Sequence, residues 1–155
     1  MRKALVIVSA LLLVAFAVQF VLAAVGGFTR PAGEDAYALH SVNGMAVIPI
    51  LTVLTALFAA LAKAPGKIIG LAILPIGLVV LQPLIAMLAE ASTDASGVST
   101  PLGLTIGGLH ALNGIIAVHV VVGVHRAARQ LAVPVPAVPV PAGAARLVTR
   151  EGEPA

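Results

Sequence analysis

The sequence predicts an all-α integral membrane four-helix bundle, built from two tandem transmembrane hairpins with both termini in the cytoplasm. Three observations predict it. Four apolar runs (4–25, 39–62, 68–89 and 104–124) contain no Asp, Glu, Lys or Arg. The charges between them are sorted by sign and by side. And one polar phrase, His-x-x-Asn-Gly, occurs in both the second and the fourth run, as LHSVNG (39–44) and LHALNG (109–114).

Composition sets the class. Of 155 residues, 60% are hydrophobic and 10% charged, and the mean hydropathy is +1.11. Soluble domains carry about 25% charged residues. Each apolar run exceeds the roughly 20 residues that a helix needs to cross a hydrocarbon core of about 30 Å. A span must satisfy its own backbone hydrogen bonds, so each run is read as a helix.

Span one (4–25) follows Arg2 and Lys3 and carries Gln19 near its outer third. Its basic start and Val-Leu-Ala ending have the pattern of a cleavable leader. The long apolar run, and a glutamine with a counterpart in span three, favour a retained span. A polar loop follows (26–38). Span two (39–62) opens with His40, Asn43 and Gly44. The inner turn, KAPGK (63–67), places Pro65 and Gly66 where one helix stops and the next starts. So short a turn makes spans two and three antiparallel neighbours. Span three (68–89) carries Gln82 at a depth similar to that of Gln19. A second polar loop (90–103) leads to span four (104–124), which opens with His110, Asn113 and Gly114. Domain 1–131 is thus the transmembrane bundle. Prolines recur through VPVPAVPVPAG, so 132–155 is read as an extended cytoplasmic tail acting as a spacer.

Orientation follows from charge. Arg2, Lys3, Lys63, Lys67, Arg126, Arg129, Arg146 and Arg150 fall on one side, and Arg30 alone on the other. The positive-inside rule places the first group in the cytoplasm of a bacterial cell. Glu34, Asp35, Glu90 and Asp94 all lie in the two outer loops. The basic balance has this origin and presents no basic face for nucleic acid. The expected partners are the lipid bilayer and a redox or other membrane protein. With no cysteine in the chain, disulfides and thiolate-bound clusters are excluded.

Asn43 and Asn113 are the only asparagines, each three residues after a histidine. Spans one and two are therefore read as one hairpin and spans three and four as its copy. The two would be related by a pseudo-two-fold axis along the membrane normal. On a helix, residues three and four apart share a face, so each histidine shares its face with its Asn and Gly. Polar groups in a bilayer face the bundle interior. Two imidazoles then meet at one depth near the outer surface, with glycines leaving room for a flat ligand.

Haem b suits that arrangement, because its iron takes axial imidazoles from opposite sides. The other ring nitrogen of each ligand needs a partner: Asn43, Asn113, Gln19, Gln82 or a nearby carbonyl. Zinc fits less well, since a structural site wants four ligands. The competing reading is that His, Asn and Gln only lock helices together in a cofactor-free scaffold or accessory subunit. A small transporter is a third reading, weakened by the lack of carboxylates within the spans.

The remaining polar features are weaker. His119 lies nine residues after His110, about 13 Å deeper and on the opposite side of its helix. It is read as packing or a small proton-relay role, and His125, beside Arg126, as a solvated flank. Pro49, Pro75 and Pro83 are expected to kink spans two and three. The G-x-x-x-G of Gly103 and Gly107 is a weak signal of close helix contact.

VQFVLAAVGGFTRPAG (18–33), with the span-two and span-four histidines, resembles one half of haem A synthase. The likeness covers roughly residues 15–126 and implies a four-helix bundle with axial histidines on spans two and four. Gln19, Gly27, Arg30 and Gly33 match that family's turn, and His40 and His110 its ligands; Arg30 would pair with a haem propionate. In that family an arginine follows the span-two histidine, and in the catalytic half a glutamate precedes it. Here Ser41 follows His40, Tyr37 lies three residues before it, and there is one bundle, not two. Synthase activity is therefore not supported, and no catalytic residue is assigned. The chain looks more like a small four-span bacterial membrane protein with one such bundle.

Overall fold

The computed structural model describes residues 1–31 and 33–133. Four long helices account for most of them. α1 is Arg2–Phe28. α2 runs as Ala38–Val42, a π-helical turn Asn43–Val47 and Ile48–Leu61, after a 3-10 turn at Glu34–Tyr37. α3 is Gly66–Glu90 and α4 is Pro101–Ala132. All four are long and apolar enough to cross a membrane. From Pro134 onward, the proline-rich tail expected at 132–155 lies outside the described residues.

The helix ends have local causes. Thr29 closes α1, and its hydroxyl donates to the Val25 carbonyl at 2.7 Å. Pro101 sits at the first position of α4, where its missing N–H costs nothing. Thr100 caps that helix by accepting from the Gly103 amide at 3.1 Å, and its hydroxyl donates to the Ser92 carbonyl. In the inner turn the left-handed residue is Lys63 (φ 52°) rather than Gly66, which already begins α3. α4 outruns its apolar stretch because the Arg, Ala and Gln after Val124 are good helix formers.

The π turn lies just before Pro49. A proline ring clashes with the carbonyl four residues back, here Met45, and a wider turn relieves that clash. Pro75 and Pro83 both lie inside α3 without ending it.

Packing follows a repeat close to 3.5 residues. The buried positions include Leu5, Ser9, Leu12 and Phe16 on α1, Ile48, Thr52, Thr55 and Ala59 on α2, and Ala117, Val121, Val124 and Ala128 on α4. That period produces the shallow crossing of a left-handed bundle. α1 packs on α2 and α4, and α3 packs on the same two, so α2 and α4 face each other across a diagonal. Two apolar clusters fill the seam, one around Leu12, Phe16, Ile48 and Val79 and one around Leu5, Ala59, Ala72 and Val124. The buried hydroxyls are satisfied within their helices: Ser9 donates to Leu5 and Thr52 to Ile48, each at 2.7 Å.

The outside is as apolar as the inside. Ile7, Leu11, Val14, Val18, Val21 and Val25 form an exposed stripe on α1, and the other helices carry similar ones. A helix that is apolar on all sides belongs in a membrane or a large core.

Candidate functional site

The polar residues that recur in the sequence meet at one level of the bundle. Gln19 comes from α1, His40, Asn43 and Gly44 from α2, Gln82 from α3, and His110, Asn113 and Gly114 from α4. The His40 and His110 rings face each other across the diagonal, with centres 6.3 Å apart and planes inclined by 44°. A cavity of about 130 Å³ lies beside them, lined by Phe16, Phe20, Val79, both glutamines and both glycines as well as the histidines. A more open space of about 520 Å³ starts at the same two histidines and extends past Tyr37, Ser41, Glu90 and Gly107.

Each histidine is anchored through Nδ1 to a backbone carbonyl of a neighbouring helix. His40 reaches the Gln19 carbonyl at 3.2 Å, and His110 the Gln82 carbonyl at 3.1 Å. Of the partners the sequence left open, the carbonyls hold Nδ1. Such a bond fixes the tautomer and directs Nε2 away from the anchoring carbonyl. Tyr37 adds an edge-on contact to His40, with ring centres 6.0 Å apart. Gly26 makes that contact feasible, because a Cβ there would lie 2.5 Å from the Tyr37 ring.

The side-chain amides behave differently in the two halves. Asn43 is buried and donates to the Ala15 carbonyl at 3.0 Å and to Gln19 Oε1 at 2.8 Å. Gln19 Nε2 is 3.1 Å from both the His40 carbonyl and His40 Nε2. Asn113 donates to the Leu78 carbonyl at 2.8 Å, whereas Gln82 Oε1 is buried with no hydrogen-bond partner.

The structure adds detail to three expectations. Gly44 and Gly114 line the cavity and also make room for the glutamines. A Cβ at Gly44 would lie 2.7 Å from Gln19 Nε2, and one at Gly114 3.0 Å from Gln82 Nε2. Arg30 stands apart from the cluster, because its guanidinium folds back to donate to the carbonyls of Gly27 (3.0 Å) and Thr29 (2.8 Å). His125 is not a free flank. Its Nδ1 lies 3.0 Å from the hydroxyl of fully buried Ser9, a contact 116 residues apart that no local pattern signals. His119 is exposed on the outside of α4, opposite the cavity. Of the G-x-x-x-G pair, Gly103 packs against the carbonyls of Ala89 and Ser92, while Gly107 faces open space.

The donor set is narrow. Among the described residues no three His, Cys, Asp or Glu side chains gather. A metal between His40 and His110 would therefore have two protein ligands, a set that suits a metal already held by a macrocycle. Two imidazoles that both aimed Nε2 at one metal would have ring centres about 6 Å apart, close to the 6.3 Å found here, although His40 Nε2 is turned to Gln19. The inner cavity alone is smaller than the roughly 300 Å³ at the low end of cofactor pockets. Most of such a group would lie in the larger space that opens from the same two histidines.

Residues 19–90 match the model of a protein family, DUF6220, described as a family of unknown function. The matched stretch holds Gln19, His40, Asn43, Gly44 and Gln82 and ends before His110. No curated protein and no solved structure matches the chain. The resemblance to haem A synthase thus rests on the quoted residues alone.

Proposed function

We propose that this chain is a multi-pass protein of the bacterial cytoplasmic membrane that binds one b-type haem between His40 and His110. Its termini lie inside, and its role is electron transfer or haem handling at the outer half of the membrane. The observation that carries the reading is the His40–His110 pair: ring centres 6.3 Å apart, with each Nδ1 tied to a carbonyl. The matching anchors on α1 and α3 also support reading the two hairpins as copies. The apolar outer surface and the sorted charges support insertion and orientation.

His40 and His110 would hold the iron, and the apolar walls of Phe16, Phe20 and Val79 would exclude water from it. When bound, haem supplies a one-electron couple whose potential depends on its axial ligands and burial. Arg30 has no part in this reading, and a propionate partner is not assigned.

The test is the absorption spectrum of the full chain, purified in mild detergent from haem-sufficient cells. A Soret band that disappears in the His40→Ala/His110→Ala double variant is the expected result. No band in the wild type, or one unchanged in the double variant, refutes the reading.

One observation favours a second reading. The His40–Gln19–Asn43 bonds, with Asn43 also donating to the Ala15 carbonyl, join α1 to α2, as a cofactor-free scaffold or accessory subunit would require. That reading predicts a modest loss of thermal stability on replacing both histidines with Gln, and no spectral change.

A further inference from the structure

The two histidines are held unequally, and the inequality follows from hydrogen-bond bookkeeping. The Ala15 carbonyl can only accept, so the Asn43 atom 3.0 Å from it is the amide nitrogen. That nitrogen also donates to Gln19 at 2.8 Å, so the Gln19 atom it meets is Oε1. The other end of the Gln19 amide, Nε2, therefore faces His40, and an amide nitrogen only donates. His40 Nδ1 gives its hydrogen to the Gln19 carbonyl, so the neutral ring offers a lone pair at Nε2. Gln19 takes up that lone pair at 3.1 Å.

His110 has the same Nδ1 anchor on a carbonyl, but among the described residues no side chain donates to its Nε2. The equivalent amide chain is broken: Asn113 donates to Leu78, and Gln82 Oε1 has no partner.

Resting on the haem reading above, we infer that His110 is the resident axial ligand and His40 a conditional one. The Gln19 amide competes with iron for the His40 Nε2 lone pair. An exogenous ligand can then take the His40 side. The adjoining cavity, about 130 Å³ and walled by Phe16, Phe20, Ile48 and Val79, admits a small neutral diatomic gas. The exchange moves no electron and no proton. With haem bound, the incoming lone pair would replace that of His40 Nε2, which would then accept the Gln19 N–H.

The experiment compares haem content, spin state and carbon monoxide binding in the full-length protein and its single variants. His110→Ala is expected to lose haem, whereas His40→Ala keeps most of it and turns high-spin. Reduced wild type is expected to bind carbon monoxide. Gln19→Leu leaves His40 free to stay on the metal and weakens that binding about tenfold, the worth of one hydrogen bond. Asn43→Leu, which unpins the Gln19 amide, shifts it in the same direction should Gln19→Leu fold poorly. His119→Ala, on the outer face, changes neither readout. Equal haem loss in the two histidine variants, no carbon monoxide binding, or unaltered binding in the Gln19 and Asn43 variants overturns the ranking while leaving the haem reading intact. A wild type without a Soret band overturns both.

Discussion

At Gly44 a Cβ would lie 2.7 Å from Gln19 Nε2, so a methyl group there must displace the glutamine amide. That nitrogen belongs to an amide pinned at both ends, by Asn43 on its oxygen and by His40 on its nitrogen. At Gly114 the corresponding approach is 3.0 Å, to a glutamine whose oxygen has no partner. Gly44→Ala should therefore cost about 1–3 kcal/mol, the usual range for overpacking, and Gly114→Ala less. Thermal unfolding in detergent checks the order, and a larger loss for Gly114→Ala contradicts it. The pairing of each histidine with an Asn and a Gly is legible in the sequence; what holds the histidine is not. Its partner is a backbone carbonyl, and every residue has one, so Gln19 and Gln82 stand out by side chain while also acting through their backbones. The Ser9–His125 contact is hidden for a similar reason, since neither residue is unusual where it stands.

Helices α1 to α4 are legible from run length, because an uncharged run of this length has few alternatives to a spanning helix. Their ends are less so: α4 continues to Ala132 through arginines that suit both a helix and a membrane interface. The π turn at Asn43–Val47, which carries Asn43 and Gly44 of the site, is marked in the sequence only by Pro49 just after it, a residue that signals a kink but not its type. The α3–α4 connection supplies a prediction at this scale. Asp94 accepts from the Ser96 hydroxyl (2.6 Å) and from the Ser96 and Val98 amides (2.8 and 2.9 Å). Its pKa falls below the ordinary 3.8, with the Ser96 hydroxyl as the largest cause and the Val98 amide next. A depressed carboxylate contributes stability that is present above its unfolded pKa and lost as pH falls through the folded one. Amide exchange at Ser96 and Val98 should therefore quicken only below the usual carboxylate range, relative to neighbouring loop amides. Asp94→Asn should remove that acid dependence, and its persistence in the variant would assign it elsewhere.

Among the described residues, two apolar clusters close the seam while the amides of Gln19, Asn43, Gln82 and Asn113 collect at the level of the two histidines. This division separates a part that holds the helices together from a part able to hold a ligand. Packing rather than water exclusion would hold such helices in lipid, and small residues such as Ala59, Ala72, Ala117 and Ala128 let them approach closely. On the proposed reading the histidine pair would clasp a single haem. The most direct measurement is the molar ratio of haem to protein in the detergent-purified full chain and in its His40→Ala/His110→Ala variant, each shown to be folded by circular dichroism. One haem per wild-type chain and none in the variant is the predicted result. A folded wild type without haem, or a variant that keeps the wild-type ratio, would contradict it.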